Sequence, residues 1–288
     1  VHYTDIETLD TGLIEATGGR GSRAVAGNGT VFLKGTGESN GTLVIDGQGA
    51  ATSFSPLPVP PGYVFDNIVL QNSARVLADD LLQVSDSVEV LSGSILTHST
   101  ASETGLRIEA RRVYVDPTSS IDTSGRGYRG GLRDGNPDDH GETLGGLAGA
   151  PPRSGGSYGG YGGRNGDADL GIAHGLPAGE LSLGSGGSSG AYGYLGGNGG
   201  GLVSIEGTDE VRIDGTVLAN GSQGTGFSSG SGSGGGVQIA TSLLRGTGSI
   251  AADGGGFEFG GGGGRILVDY AYIRSGDDQD FAGLRDIH

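Results

Sequence analysis

Three oxygen-bearing side chains alternate along one short, glycine-containing stretch of the chain. In the sequence NGDADLG, Asn165, Asp167 and Asp169 occupy every second position, a spacing that lets side-chain oxygens converge on a calcium ion. The stretch departs from the EF-hand pattern, because Leu170 stands at the sixth position and no glutamate stands at the twelfth. We predict a Ca²⁺ site at these three residues, with a plain turn as the alternative, and no other cofactor.

Other titratable side chains gather in the sequence RDGNPDDHGE. They are Arg133, Asp134, Asp138, Asp139, His140 and Glu142. Polysaccharide lyases and glycosidases need paired carboxylates, or calcium with a basic residue, in a cleft. The glycines and the proline indicate a solvated acidic loop instead, and the sequence reveals no column of acids on successive strands. The five histidines lack HxxxH or HExxH spacing. We therefore predict no catalytic residues and no enzymatic activity.

The framework that must carry these side chains is signalled by a repeat. Glycine blocks at 199–201, 234–236 and 261–264 are each followed at once by a short apolar run. A single short strand cannot bury its own apolar face, so such units gain stability by stacking on copies of themselves. The sequence therefore predicts an all-β solenoid.

An internal alignment supports stacking. The stretch GLRIEARRVYVDPTSSIDTSG (105–125) aligns with GLVSIEGTDEVRIDGTVLANG (201–221). Each has three strand-like patches, which match near Ile108 and Ile205, at 113–115 and 211–213, and at Ile121 and Val217. We predict that they are neighbouring turns of one triangular coil. The inward positions of residues 201–288 should then include Ile205, Val211, Ile213, Val217, Val237, Ile239, Ile250, Ile266 and Val268.

The chain divides into four parts of a single predicted domain, 1–288. Residues 1–55 hold the first strands and end at a proline cluster, residues 63–122 hold the central strands, and residues 201–288 hold the last. Between them, residues 123–200 form an insertion in which 28 of 78 residues are glycine. Five tyrosines there predict ordered, extended segments covered by aromatic rings, with a mobile loop as the alternative. These tyrosines are Tyr128, Tyr158, Tyr161, Tyr192 and Tyr194.

Composition bounds the partners and the location. The formal net charge of −16 repels phosphate backbones and anionic membranes, which argues against nucleic-acid binding, and no apolar stretch has the roughly 18 residues of a membrane span. The absence of cysteine excludes a disulfide framework. An acidic, glycine-rich surface is typical of extracellular proteins, and the start at Val1 without any methionine predicts a processed piece of a longer chain.

The pieces IDTSGRGYRGG, SGGSYGGYGG, LGSGGSSG, GGNGGGLVSI and GGGGRILVDY resemble the glycine-rich repeat regions of large bacterial surface and matrix proteins, similar to β-helical adhesins. This resemblance, from about residue 30 to the end, implies a right-handed parallel β-helix and a structural or adhesive role outside the cell. Two alternatives stay open, namely a carbohydrate-active β-helix enzyme and a calcium-dependent module that binds cell-surface glycans. A parallel coil also exposes its ends, so we expect residues near 1–30 and 265–288 to contact identical subunits or the remainder of a longer chain.

Overall fold

The computed structural model describes residues 2–3, 14–16, 18–19, 21–22, 26–27, 29–49, 53–166, 169–175 and 179–274, with the backbone alone at 2–3 and 273–274. Its strands are β1 (His2–Tyr3), β2 (Val31–Gly35), β3 (Thr42–Asp46), β4 (Ser55–Pro56), β5 (Val64–Gln71), β6 (Arg75–Leu77), β7 (Leu81–Val90), β8 (Ile95–Thr97), β9 (Leu106–Val115), β10 (Ser120–Asp122), β11 (Glu142–Thr143), β12 (Leu147–Ala148), β13 (Leu202–Ile213), β14 (Thr216–Leu218), β15 (Gly236–Arg245), β16 (Ser249–Ala251) and β17 (Arg265–Arg274). Leu144–Gly146 and Ala191–Gly193 form short 3₁₀ turns.

Two sheets contain most of these strands. The long-strand sheet has the order β1-β2-β3-β5-β7-β9-β13-β15-β17, and all its neighbours pair in parallel except β2 and β3. The short-strand sheet has the order β16-β14-β10-β8-β6-β4 and is parallel throughout. We call the strands of these two sheets the two-sheet body. The predicted all-β class, with parallel pairing, is confirmed.

From β3 onward, consecutive strands of the body alternate between the two sheets. Several of the corners between a long strand and the following short strand use left-handed backbone, which short polar residues and glycine adopt most readily. Ser73 (φ 64°), Ser92 (φ 54°) and Gly93 (φ 77°) provide it. These local corners return the chain to the facing sheet after each long strand.

Apolar side chains from both sheets fill the space between them. In the long-strand sheet, Leu82, Ile108, Ile205 and Ile239 pair in register across four neighbouring strands, and all four are buried. Each such burial stabilises the fold by about 1.5 to 3 kcal/mol. Of the predicted inward positions, six are fully buried, namely Ile205, Val211, Ile213, Val217, Val237 and Ile239. Ile250 and Val268 are partly buried, whereas Ile266 is 37% exposed on β17, the last described strand.

The predicted internal alignment is confirmed by strand pairing. Ile108 pairs with Ile205 and Val113 pairs with Val211 in the long-strand sheet, while Ile121 pairs with Val217 in the short-strand sheet. The first two patches of each turn belong to one strand, which carries a register shift in β13 between Gly207 and Glu210. The number of faces in each turn stays a prediction.

Glycine-rich segments outside the two sheets form a second region, which we call the glycine bundle. Its main segments are 127–131, 154–156, 184–190, 196–201, 219–222, 230–235, 252–255 and 260–264, which are joined to one another by backbone hydrogen bonds. The bundle therefore draws on the predicted insertion and also on residues after 201. The three glycine blocks are bundle segments that lead directly into β13, β15 and β17.

The hydrogen bonds of the bundle repeat every three residues. Six consecutive N–H groups of segment 230–235 donate, in order, to the carbonyls of Ser188, Phe259, Ser222, Ser185, Gly262 and Ala219. The first and fourth acceptors lie on one neighbouring segment, the second and fifth on another, and the third and sixth on a third. Three residues per turn is the period of a polyproline II helix. Unlike an isolated helix of that type, this one bonds to neighbours on three sides.

Close approach, rather than unusual backbone angles, requires glycine in the bundle. A Cβ atom on Gly232 would overlap the carbonyl of Asn198, and one on Gly261 would overlap the carbonyl of Gly232. Neither glycine has a positive φ. Side chains are excluded because the neighbouring backbones already occupy that space.

Two of the five tyrosines of the insertion are buried. Tyr158 is fully buried, and its hydroxyl oxygen accepts the Ser182 N–H at 2.9 Å. Tyr128 donates its hydroxyl to Glu103 at 2.9 Å, and burial raises the pKa of Tyr128 to about 12. The other three are exposed at the surface.

Candidate binding surface

Three short loops lie side by side at one end of the glycine bundle. They are residues 191–194, 225–228 and 257–258, and each joins two bundle segments. The Ala191 N–H donates to the Phe227 carbonyl at 3.1 Å, which ties the first loop to the second. The Ser228 N–H donates to the Glu258 carboxylate at 2.6 Å, which ties the second to the third. The bundle therefore brings together loops that are distant in sequence.

Each of the three loops exposes an aromatic ring. Tyr192 is 94% exposed, Phe227 is 60% exposed, Phe257 is 49% exposed and Tyr194 is 41% exposed. We call these four residues the aromatic tip. A single exposed aromatic is ordinary on a protein surface, but four exposed rings on three adjoining loops indicate an interaction site.

Local backbone chemistry orients the tip. Tyr192 has left-handed backbone with φ 60°, and Gly193 follows with φ 79°, so the loop reverses within two residues and directs Tyr192 outward. The ring of Tyr194 lies against Gly226, where a Cβ atom would collide with it. In the second loop, the hydroxyl of Ser229 donates to the Gly226 carbonyl at 2.5 Å. The loops are therefore tied to themselves as well as to one another.

The residues predicted to bind calcium do not form a described cluster. Asp167 lies outside the described residues, and both Asn165 and Asp169 are exposed. The Asn165 N–H donates to the Arg153 carbonyl at 3.1 Å. Within the described ranges, no group of three His, Cys, Asp or Glu side chains could hold a metal ion. Calcium binding at this stretch stays a prediction.

The acidic stretch 133–142 is bonded to two segments of the glycine bundle, 127–131 and 184–190. Glu142 accepts the Arg129 N–H at 3.1 Å and lies 3.7 Å from the Arg129 guanidinium. Asp139 accepts the hydroxyl of Ser189 at 2.7 Å. These carboxylates hold backbone and side-chain donors of neighbouring segments, which agrees with the predicted loop.

A pair of acids that the sequence analysis missed lies on the outer face of the long-strand sheet. Glu109 on β9 and Glu206 on β13 pair in register, and both line a groove of about 310 Å³ with Gln83 and Arg111. Gln83 Nε2 donates to the Glu109 carboxylate at 3.3 Å. The alignment of residues 105–125 with 201–221 already places these glutamates opposite each other, so the signal was present.

His174 lies beside Ser185 but does not activate it. Its Nε2 is 3.2 Å from the Ser185 hydroxyl, yet that hydroxyl donates to the Ser157 carbonyl at 2.6 Å. Burial and the nearby Arg265 guanidinium lower the pKa of His174. The Ser185 proton is directed away from the imidazole, so the pair has a packing role.

His98 connects the body to the point where the chain leaves the bundle. Its Nδ1–H donates to the Ser99 carbonyl at 2.7 Å, and its Nε2 accepts the Leu202 N–H at 3.1 Å. The side chain is fully buried, and burial lowers the pKa of His98 to about 4. The neutral form is therefore the one that fits the folded protein.

No family model matches the chain, and neither a curated protein nor a solved structure is significantly similar to it. The likeness to bacterial surface proteins therefore stays a prediction. In the part of the chain that the structure describes, no helix is long and apolar enough to cross a membrane.

Proposed function

We propose that the protein is a structural and adhesive component of an extracellular assembly, and that the aromatic tip makes the adhesive contact. The observation that carries this proposal is the convergence of three aromatic loops at one end of a hydrogen-bonded bundle. Loops rich in Tyr, Ser and Gly on a rigid scaffold are also the design of antibody paratopes. The loops that carry the tip have one carboxylate, Glu258, and no histidine, cysteine or lysine, so their chemistry favours binding over catalysis.

For the body, we propose a right-handed parallel β-helix. Two features support this architecture, namely the alternation of consecutive strands between two sheets and the parallel pairing within each sheet. Crossovers between parallel strands of one sheet are right-handed in about 98% of cases.

The extracellular location rests on charge and composition. A net charge of −16 keeps the surface hydrated, and backbone hydrogen bonds stabilise the bundle without disulfides. Identical subunits, or the remainder of a longer chain, are the partners that we expect at the ends of the coil. Residues 275–288, on which part of that expectation falls, lie outside the described residues.

An adhesion assay tests the proposal. Beads coated with the protein are settled on bacterial cells, fungal walls, plant cell-wall fragments and animal cells, and the flow that detaches half of them is measured. The wild type should resist flow on at least one surface, and Tyr192→Asn/Phe227→Ser/Phe257→Ser should reduce the resistance to that of albumin-coated beads. The control is Tyr161→Ser/Tyr270→Ser/Tyr272→Ser, which removes exposed rings elsewhere. Equal detachment of the wild type and albumin on every surface would contradict the proposal.

The in-register acids favour a second candidate function, a carbohydrate-active enzyme. Neighbouring strands lie about 4.8 Å apart, close to the roughly 5 Å between the two carboxyl groups of a retaining glycosidase. Glu109 and Glu206 line one groove on neighbouring strands. This candidate predicts that the protein releases reducing ends from a polysaccharide. Glu109→Gln and Glu206→Gln should each abolish that release, whereas Glu89→Gln in the adjacent groove should not.

A further inference from the structure

The chemistry of the aromatic tip narrows the class of its ligand, provided that the proposed adhesive function holds. We propose that the tip binds an uncharged saccharide chain. The inference rests on three properties of the loops, which are their exposed ring faces, their charge and their rigidity.

Exposed ring faces suit a sugar ring. An aromatic face carries partial negative charge, and the axial C–H groups of a pyranose carry partial positive charge, so the two surfaces attract and exclude water. Tyr192 and Phe227 belong to loops that are hydrogen-bonded to each other, and Phe257 belongs to the third. Rings on three adjoining loops can contact several sugars of one chain.

Polar groups beside the rings can bind sugar hydroxyls. Glu258 uses Oε2 to accept the Ser228 N–H, while its other carboxylate oxygen has no partner among the described residues. The Tyr192 hydroxyl is at the most exposed aromatic side chain of the tip. A sugar hydroxyl can donate to the carboxylate and accept from the phenol.

Charge argues against an anionic ligand. Residues 190–195, 224–229 and 256–260 contain no Lys, Arg or His, and their single charged residue is Glu258. Arg133 donates Nε to the Gly196 carbonyl below the loops, at 2.7 Å, and is thus engaged with the bundle. With a chain charge of −16, sulfated, phosphorylated or sialylated glycans would be repelled.

Rigid loops increase the affinity of an exposed aromatic surface for a ligand. The loops are short, and their backbone groups bond to one another, so little conformational entropy is lost when a ligand binds. The alternative ligand for the exposed aromatic rings is a second copy of the chain, bound tip to tip. Two tips that face each other would bring two Glu258 carboxylates together with no basic residue in the loops to pair them, which favours the saccharide.

A printed glycan array is the direct test. It should hold neutral glucans, mannans, xylans and chitin oligosaccharides beside sulfated and sialylated glycans. The wild type should bind one or more neutral glycans, and Tyr192→Asn, which retains a residue suited to φ 60°, should weaken binding roughly tenfold or more, as expected for an aromatic contact. Phe227→Ser should do the same, and Tyr272→Ser on β17 should leave binding unchanged.

Several results would overturn the saccharide proposal. These are no binding to neutral glycans, preference for the anionic set, or full binding by both tip variants. A dimer in sedimentation that the tip variants dissociate would make a second copy the occupant. If coated beads adhere through the tip but no neutral glycan binds, adhesion stands and the ligand class is wrong. If the beads do not adhere at all, the adhesive function itself fails.

Discussion

In the two-sheet body, alternate side chains fill the space between neighbouring backbones, whereas in the glycine bundle the backbones themselves fill it. Ile239 has apolar neighbours in register on both sides, so it stabilises the body through burial of apolar surface. Gly232 instead packs against the Asn198 carbonyl and donates its N–H to Ser222. Both regions consist of extended chain, but they exclude water with different atoms.

The difference predicts how each region tolerates change. A side-chain core accepts apolar residues of similar volume, so the body can vary while its alternation is kept. The bundle has no such freedom at its close contacts, because a carbon added at a position such as Gly232 or Gly261 meets a carbonyl. Glycine also loses more backbone entropy on folding than any other residue, so the bundle depends on the hydrogen bonds that it makes on several sides. Mutations in the two regions should therefore follow different rules.

The largest effect should follow a charge in the core of the body. Ile239→Asp buries an uncompensated carboxylate, and we expect the free energy of unfolding to fall by about 4 kcal/mol or more. Gln238→Asp, on the outward face of the same strand, should change it by only about 0.5 kcal/mol. Urea unfolding followed by circular dichroism measures both. Equal losses would mean that the inward and outward faces of β15 are wrongly assigned.

Acid should weaken the connection between the two regions. The pKa of His98 falls from its ordinary 6.5 to about 4 in the folded protein, so between these values the unfolded chain binds a proton that the folded chain does not. The contribution of His98 is fully present above pH 6.5 and is lost as the pH falls toward 4, by roughly 3 kcal/mol in total. Unfolding in urea across this range measures the slope.

The contribution of His98 can be separated from that of other groups by substitution. His98→Gln retains an acceptor for the Leu202 N–H but does not titrate, so the slope between pH 6.5 and 4 should decrease. An unchanged slope in His98→Gln would show that the acid sensitivity has another source.

A methyl group should distinguish buried from open positions within one segment of the bundle. Gly261→Ala drives a Cβ into the Gly232 carbonyl, whereas Gly263→Ala meets nothing within 4 Å. We expect Gly261→Ala to lower the free energy of unfolding by about 1 to 3 kcal/mol. Gly263→Ala should be neutral or raise it by about 0.4 to 1 kcal/mol, because alanine restricts the unfolded chain. Thermal unfolding that ranks the two variants equally would contradict the packing of the bundle.

The smallest effect should come from a hydroxyl group. Tyr158→Phe leaves the partly buried Ser182 N–H without its acceptor, which should cost about 0.5 to 1.5 kcal/mol. Tyr161→Phe, at an exposed ring, should cost nothing measurable. Hydrogen exchange of the Ser182 amide should accelerate in the first variant alone. Unchanged exchange in both would mean that the hydroxyl does not hold this amide.

The strands of the two-sheet body were predicted well, because the alternation of apolar residues and the repeat length are local properties of the sequence. The match of Ile108 with Ile205 came from the sequence and is confirmed by the register. The same alignment opposed Glu109 to Glu206, although the sequence analysis did not draw that consequence. The sequence did not show that the first two patches of each turn form one strand, because a bulge and a strand end resemble each other in a sequence.

The aromatic tip could not be predicted, because its residues are far apart along the chain. Phe227 follows Tyr192 by 35 residues, and Phe257 follows Phe227 by 30. They meet because neighbouring bundle segments reverse direction at the same end. That arrangement depends on which segments bond to which, and glycine-rich sequences are too alike to specify a partner.

By itself, the sequence determined that the chain is all-β, that its strands stack as copies of one unit and that its glycine-rich stretches exclude side chains. Only the tertiary structure decided which carbonyl each glycine approaches, where the acids pair and which loops share one surface. The physical reason lies in the range of the interactions. Alternation of apolar residues is local, whereas a polyproline II helix has no internal hydrogen bonds, so every bond that orders the bundle joins residues from different segments.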